Sequence, residues 1–155
     1  MDPRPRLLVD GANVMHAWPE QRALLPRQRQ AARETLIERL QVLHDSGLAE
    51  VRVVFDGRGP DVVIESRPGD PPLVVVYTAT GQTADDVIEQ LVAQAKDPAQ
   101  CTVVTADRMV RQTIEAAGGA SMSPGDLAAW IRQTETQQSA KLTARRRAND
   151  SQWRG

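Results

Sequence analysis

The fold this chain predicts is an α/β domain, a mainly parallel sheet with helices on both faces in three α/β/α layers. Three observations predict it. Short apolar runs of strand length alternate with stretches whose apolar residues recur at helical spacing, the order expected of βαβ crossovers. The runs Leu7-Leu8-Val9, Val51-Arg52-Val53-Val54-Phe55 and Cys101-Thr102-Val103-Val104-Thr105-Ala106 each stop at an aspartate, at Asp10, Asp56 and Asp107. The length, 155 residues, suits one domain with one core.

The first run reads as a buried strand whose acid emerges at its carboxyl end, just before Gly11-Ala12-Asn13. Open α/β sheets place their sites at that end. Val14 to Pro19 predicts an irregular or short helical turn stopped by the proline. Arg27 to His44 is a helix, with Leu36, Ile37, Leu40 and Leu43 on its apolar stripe and Asp45-Ser46-Gly47 as the stop. Arg22, Arg27, Arg29, Arg33 and Arg39 read functionally as phosphate contacts and more plainly as a solvated helix face. Arg58 to Pro72, rich in glycine, proline and charge apart from Val62-Val63-Ile64, is long for a connection and is expected to form a flap beside the site.

Leu73 to Tyr77 is the third strand. The helix from Thr83 to about Lys96 turns Val87, Ile88, Leu91, Val92 and Ala95 inward and ends at Asp97-Pro98. Asp107 leads into a helix carrying Val110, Ile114 and Ala117, closed by Gly118-Gly119. Ala120-Ser121-Met122 fits a short fifth strand, and Ser123-Pro124-Gly125-Asp126 opens a helix with Leu127, Trp130 and Ile131. The domain is expected to span 1–133. Residues 134–155 form a basic tail, helical or disordered, with Lys141, Arg145, Arg146, Arg147, Trp153 and Arg154.

The formal net charge of −1 shows no global basic field, although clustered aspartates offset a basic rim in such a sum. Cys101 stands alone, and His16 and His44 are far apart, which excludes a disulfide framework and a cysteine- or histidine-rich zinc site. Met1-Asp2-Pro3-Arg4-Pro5-Arg6 has no long apolar stretch of a signal peptide. A cytoplasmic protein without a membrane partner is expected.

If the strands are parallel, Asp10, Asp56 and Asp107 reach one edge, joined by Asp85 and Asp86 at the start of a helix. Such a cluster suits phosphodiester hydrolysis, where hard cations take oxygen ligands, generate a nucleophilic water and neutralise charge on the phosphoryl and leaving oxygens. Without metal the carboxylates repel one another and some of their pKa values rise. Asn13 is placed to orient a ligand, a water or the Asp10 carboxylate, and Thr105 to do the same for Asp107. Each residue also has a structural explanation. Thr83-x-x-Asp86 has the spacing of a capping box, so Asp85 and Asp86 taken alone read as caps. Asp56-Gly57 is a common turn pair, and Asp107 is able to cap the next helix. For Asp10 the sequence suggests no comparable structural role.

Leu8-Val9-Asp10-Gly11-Ala12-Asn13, Val54-Phe55-Asp56-Gly57, Thr83-Ala84-Asp85-Asp86-Val87-Ile88 and Val103-Val104-Thr105-Ala106-Asp107-Arg108 together resemble, in order and separation, the YacP-like branch of the NYN domains, a subgroup of PIN-like ribonucleases. The likeness runs to about Trp130. It implies a PIN-like fold and an endoribonuclease that depends on Mg²⁺ or Mn²⁺ and cleaves single-stranded RNA. Asp10, Asp86 and Asp107 would be the core metal ligands, with Asp85 and Asp56 in support and Asn13 at the motif's asparagine. The implied partners are messenger RNA and the ribosome. Where some NYN-type nucleases carry a further acid one turn past the last motif, this chain has Arg111, which bears on the number of tightly held metals.

A phosphatase of the haloacid-dehalogenase type would need a second acid at the position of Ala12, and a dinucleotide-binding domain would need its G-x-G-x-x-G turn. Both features are missing. The remaining rival is a non-catalytic RNA- or ribosome-binding module that keeps the acidic pocket.

Overall fold

Strand-forming runs dominated by aliphatic residues become the centre of the sheet. They are β1 (Arg6–Asp10), β2 (Glu50–Phe55), β4 (Leu73–Tyr77) and β5 (Cys101–Val104), joined by β3 (Val63–Arg67) and β6 (Ala120–Met122). The computed structural model describes residues 4–154, and side chains as far as Ser151. Met1 to Pro3 and the side chains of Trp153 and Arg154, all of which entered the sequence reading, lie outside the described residues. The strand order is β3-β4-β2-β1-β5-β6. Every pairing is parallel except the antiparallel one between β3 and β4.

Alternation along the strands divides the interior into two layers. Leu7, Val9, Val51, Val53, Phe55, Leu73 and Val75 pack with Trp18, Leu36, Leu40, Leu43, Leu127 and Ile131. Trp18 joins α1 (Gly11–Ala17) to α2 (Pro19–Leu24), and the other partners come from α3 (Arg29–Ser46) and α6 (Pro124–Arg154). Leu8, Val54, Val76 and Val103 pack on the opposite face with Ile88, Val92, Val110 and Ile114, from α4 (Ala84–Gln94) and α5 (Arg108–Ala116). The expected α/β/α fold with a mainly parallel sheet is the one observed.

The segment Arg58 to Pro72 departs from its expected form as a flap. Its Val63 to Arg67 portion is a sheet-edge strand, in register with Tyr77 to Leu73. Arg67 anchors it through a bidentate pair with Glu34, with N···O distances of 3.0 and 2.9 Å. Hydrogen bonds to a neighbouring strand satisfy a backbone that its glycine- and proline-rich flanks had suggested was irregular. Val14 to Ala17 take the short helical form as the end of α1, which is capped at Trp18 before Pro19, and the proline then opens α2. Ser123 caps α6 as expected, accepting from the backbone N–H of Asp126 at 3.1 Å. That helix then runs without a break across position 133 to Arg154. Among the described residues no helix is long and apolar enough to cross a membrane.

Candidate active site

β1 lies between β2 and β5, so its carboxyl end meets the ends of two parallel neighbours. Asp10 is the last residue of β1 and shares its side of the strand with Leu8, which belongs to the layer under α4 and α5. Its carboxylate caps α1 by accepting the N–H of Asn13 at 3.2 Å, and it is only 7% exposed. Burial first, and then the adjoining Asp85 carboxyl within hydrogen-bonding reach, together push its pKa up to about 7. The Asn13 N–H works in the other direction, while the charges of Asp85 and Asp56 add to the rise. A buried carboxyl beside a second carboxyl with no cation between them gives up its proton reluctantly.

Asp56 follows β2 and accepts the N–H of Ala84 at 3.2 Å, tying the first turn of α4 to the sheet edge. That bond sets Asp85 against Asp10. Asn13 accepts the N–H of Ala106 at 2.8 Å, joining the start of α1 to the loop between β5 and α5. In that loop Thr105 accepts the N–H of Asp107 at 3.2 Å. Asp107 caps α5, with one oxygen accepting from Met109 and Val110 at 2.9 and 3.3 Å.

The structure therefore brings Asp10, Asp85 and Asp56 together, with Asn13 bridging toward Asp107. Of the two consecutive aspartates of α4, Asp85 rather than Asp86 is the one beside Asp10. Ala84, Ile88 and Val92 form the buried stripe of α4. At 3.6 residues per turn Asp85 sits about 100° from Ala84, whereas Asp86 sits about 200° away on the outer side. Asp86 completes the capping box instead, accepting the N–H of Thr83 at 3.2 Å while Thr83 accepts that of Asp86 at 3.1 Å. It also lines a shallow groove with Gln82, Glu89 and Gln90. Asp10, Asp86 and Asp107 do not assemble into a ready-made ligand trio, since among the described residues no three His, Cys, Asp or Glu side chains are grouped to hold a metal ion.

The donor set nevertheless suits a hard divalent cation. Two adjoining carboxyls, one buried with its pKa raised to about 7, are relieved by a positive charge between them. Mg²⁺ characteristically uses one or two protein carboxylates and completes its shell with water and substrate phosphate. Arg111 is not part of this set. Its Nε donates to Ser121 Oγ at 3.1 Å, and Ser121 in turn donates to Glu115 at 2.9 Å.

Two features near the site had weak sequence signals. A Cβ on Gly11 would collide with the Phe55 ring, and one on Gly57 with the carbonyl oxygen of Thr78. These glycines follow the two aspartates because neighbouring groups approach the backbone closely, and the sequence shows only that glycine stands there.

Residues 7–154 match the family described as the YacP-like NYN domain. The chain belongs to that family. This NYN domain is similar to the Bacillus subtilis (strain 168) protein described as "Uncharacterized protein YacP", with 31% identity over 134 residues covering 84% of this chain and 75% of that one. It is also similar to the crystal structure of Rae1 (YacP) from Bacillus subtilis, with a TM-score of 0.73, 28% identity and coverage of 96% of this chain and 86% of that one. A tryptophan-to-leucine mutant of Rae1 gives a TM-score of 0.74 at 27% identity, covering 89% of this chain and 80% of that one. Family membership implies a nuclease-type, RNA-related function.

Proposed function

We propose that this NYN domain is a metal-dependent endoribonuclease that hydrolyses single-stranded RNA at the Asp10–Asp85 pair. The observation that carries this reading is the buried Asp10 carboxyl, with its pKa raised to about 7 by burial and by Asp85, at the strand edge where α/β folds place their sites. Asp10 and Asp85 would hold Mg²⁺ or Mn²⁺, with Asp56 adding negative charge. The bound ion would supply a nucleophilic water and neutralise charge on the phosphoryl oxygens.

The chain's own residues would fix the geometry. Asp56 holds the α4 N-terminus against the sheet, which keeps Asp85 in place. Asn13 holds the β5–α5 loop beside α1, so Asp107 would stand at the rim of the site and meet the substrate or its hydration shell. From the family resemblance we carry forward messenger RNA as the substrate, presented at the ribosome. The compartment in which they meet would be the cytoplasm.

Incubating labelled RNA and DNA with the pure protein, in Mg²⁺, Mn²⁺ or chelator, tests this. The expected result is RNA cleavage with metal that falls by orders of magnitude in Asp10→Asn, a variant that removes a charge while nearly preserving shape. Full activity in chelator would sink the proposal. A second reading, a non-catalytic RNA- or ribosome-binding module, draws support from the exposed basic side chains Lys141, Arg145, Arg146 and Arg147 of α6. It expects RNA binding without cleavage under every condition.

A further inference from the structure

The five arginines of the α2–α3 region have different surroundings in the fold. Arg39 is engaged, 3.7 Å from Glu20 and 3.6 Å from Glu135, with its guanidinium over Trp18. Arg33 forms no ion pair among the described residues. It is half-buried near the start of α3, with its guanidinium carbon 5.4 Å from the ring centre of Phe55 and 5.5 Å from that of Tyr77. Those two rings stack on each other with centroids 5.8 Å apart. Arg33 Nη2 donates to the backbone carbonyl of Asp56 at 3.0 Å, and Nε is buried without a partner.

A guanidinium has five N–H donors in a rigid plane. Here one is engaged and one is enclosed, so the outer fork retains free donors. The aromatic rings restrict its motion, which lowers the entropy lost when an acceptor binds. Its position completes the argument. Phe55 and Tyr77 end β2 and β4 on the α3 side of the sheet, whereas Asp10 points to the α4 side. Arg33 and the carboxylates thus flank the same strand ends from opposite faces, linked through Asp56, whose carbonyl meets Arg33 and whose carboxylate meets Ala84. Arg22, Arg27 and Arg29, all exposed and on the segment leading to Arg33, form no ion pairs among the described residues.

We propose that Arg33 is a phosphate-binding residue that grips the RNA backbone beside the phosphate presented to the carboxylates, so that the strand crosses the sheet edge between α3 and α4. This inference rests on the RNA reading above but is independent of cleavage. A planar fork suits a phosphodiester because it offers two parallel N–H donors to two oxygens.

The test is binding of a labelled single-stranded RNA oligonucleotide to the full chain in chelator, over a salt series. Arg33→Ala is expected to weaken binding about tenfold at low salt and to lower the slope of log affinity against log salt by about 0.7, the value for one phosphate contact on a single strand. Arg33→Gln, which keeps an N–H for the Asp56 carbonyl, should lower the slope equally and serves if the alanine variant fails to fold. Arg33→Lys should retain the slope with weaker affinity, because it keeps the charge and loses the fork. Arg39→Ala should retain the wild-type slope. A wild-type slope in both Arg33→Ala and Arg33→Gln would make Arg33 a brace for Asp56 and overturn this inference alone. Failure of the nuclease reading would appear separately, as the absence of metal-dependent cleavage.

Discussion

Asp10 serves as a helix cap and also as a strained member of a carboxyl pair, and the two roles separate on mutation. Asparagine caps a helix about as well as aspartate, so Asp10→Asn keeps the bond to the Asn13 N–H and removes the acid. Because the folded-state pKa of Asp10 is raised from 3.8 to about 7, the native state binds more protons than the unfolded state between those values. Stability contributed by this group is therefore lost as pH rises from about 4 to about 7. Thermal melts should show Asp10→Asn more stable than wild type at pH 8, by roughly 1–3 kcal/mol, with the gap closing toward pH 4. Adding Mg²⁺ should close or reverse the gap. The wild type gains roughly 2.7 kcal/mol at a hundred times Kd and the mutant much less. Equal metal responses would remove Asp10 from the site. At Gly57 the expected effect is packing alone. Gly57→Ala places a methyl against the Thr78 backbone carbonyl, in a residue tied to β2 by its N–H bond to Phe55 at 3.0 Å. Denaturant unfolding should show a loss of about 1–3 kcal/mol.

At the scale of elements, α4 presents two consecutive aspartates with different surroundings. Asp86→Ala removes the N3 half of a capping box and should cost about 0.3–1 kcal/mol with little loss of RNA cleavage. Asp85→Asn should leave stability unchanged or improved in chelator and abolish cleavage. The opposite pattern would return Asp86 to the site. In α6 the packed portion ends near Thr134, which is buried, and Glu135, which reaches Arg39. Beyond it every described side chain is exposed, including Lys141, Arg145, Arg146 and Arg147. Truncation after Gln138 should shift stability by no more than about 0.5 kcal/mol and flatten the salt dependence of RNA binding. An unchanged salt series would deny the basic helix a role in binding. The continuation of α6 was poorly legible because its apolar periodicity stops near Gln133. Helix propensity continues, in a run of alanine, glutamine, lysine, leucine and arginine without glycine or proline.

Over the whole molecule, the local pattern alone determined the four apolar strands, the helices between them and the strand-end aspartates. Period, turn residues and caps are properties of neighbours in sequence. The motif order also made the NYN resemblance visible. The tertiary structure decided what depends on contacts between distant segments. It placed β1 between β2 and β5, so that Asp10 and Asp56 share an edge, and paired β3 with β4, which turned an expected flap into a strand. It also turned Asp85 rather than Asp86 toward Asp10, because the rotation of α4 is set by Ala84, Ile88 and Val92 packing on the sheet. The arginines, equivalent as a charged helix face, were distinguished by their partners. Arg39 meets Glu20 and Glu135, whereas Arg33 meets Phe55, Tyr77 and a carbonyl. Spacing along a chain specifies which face a residue takes on its own element, but the groups opposite that face come from elsewhere in the chain and are set only when the layers pack.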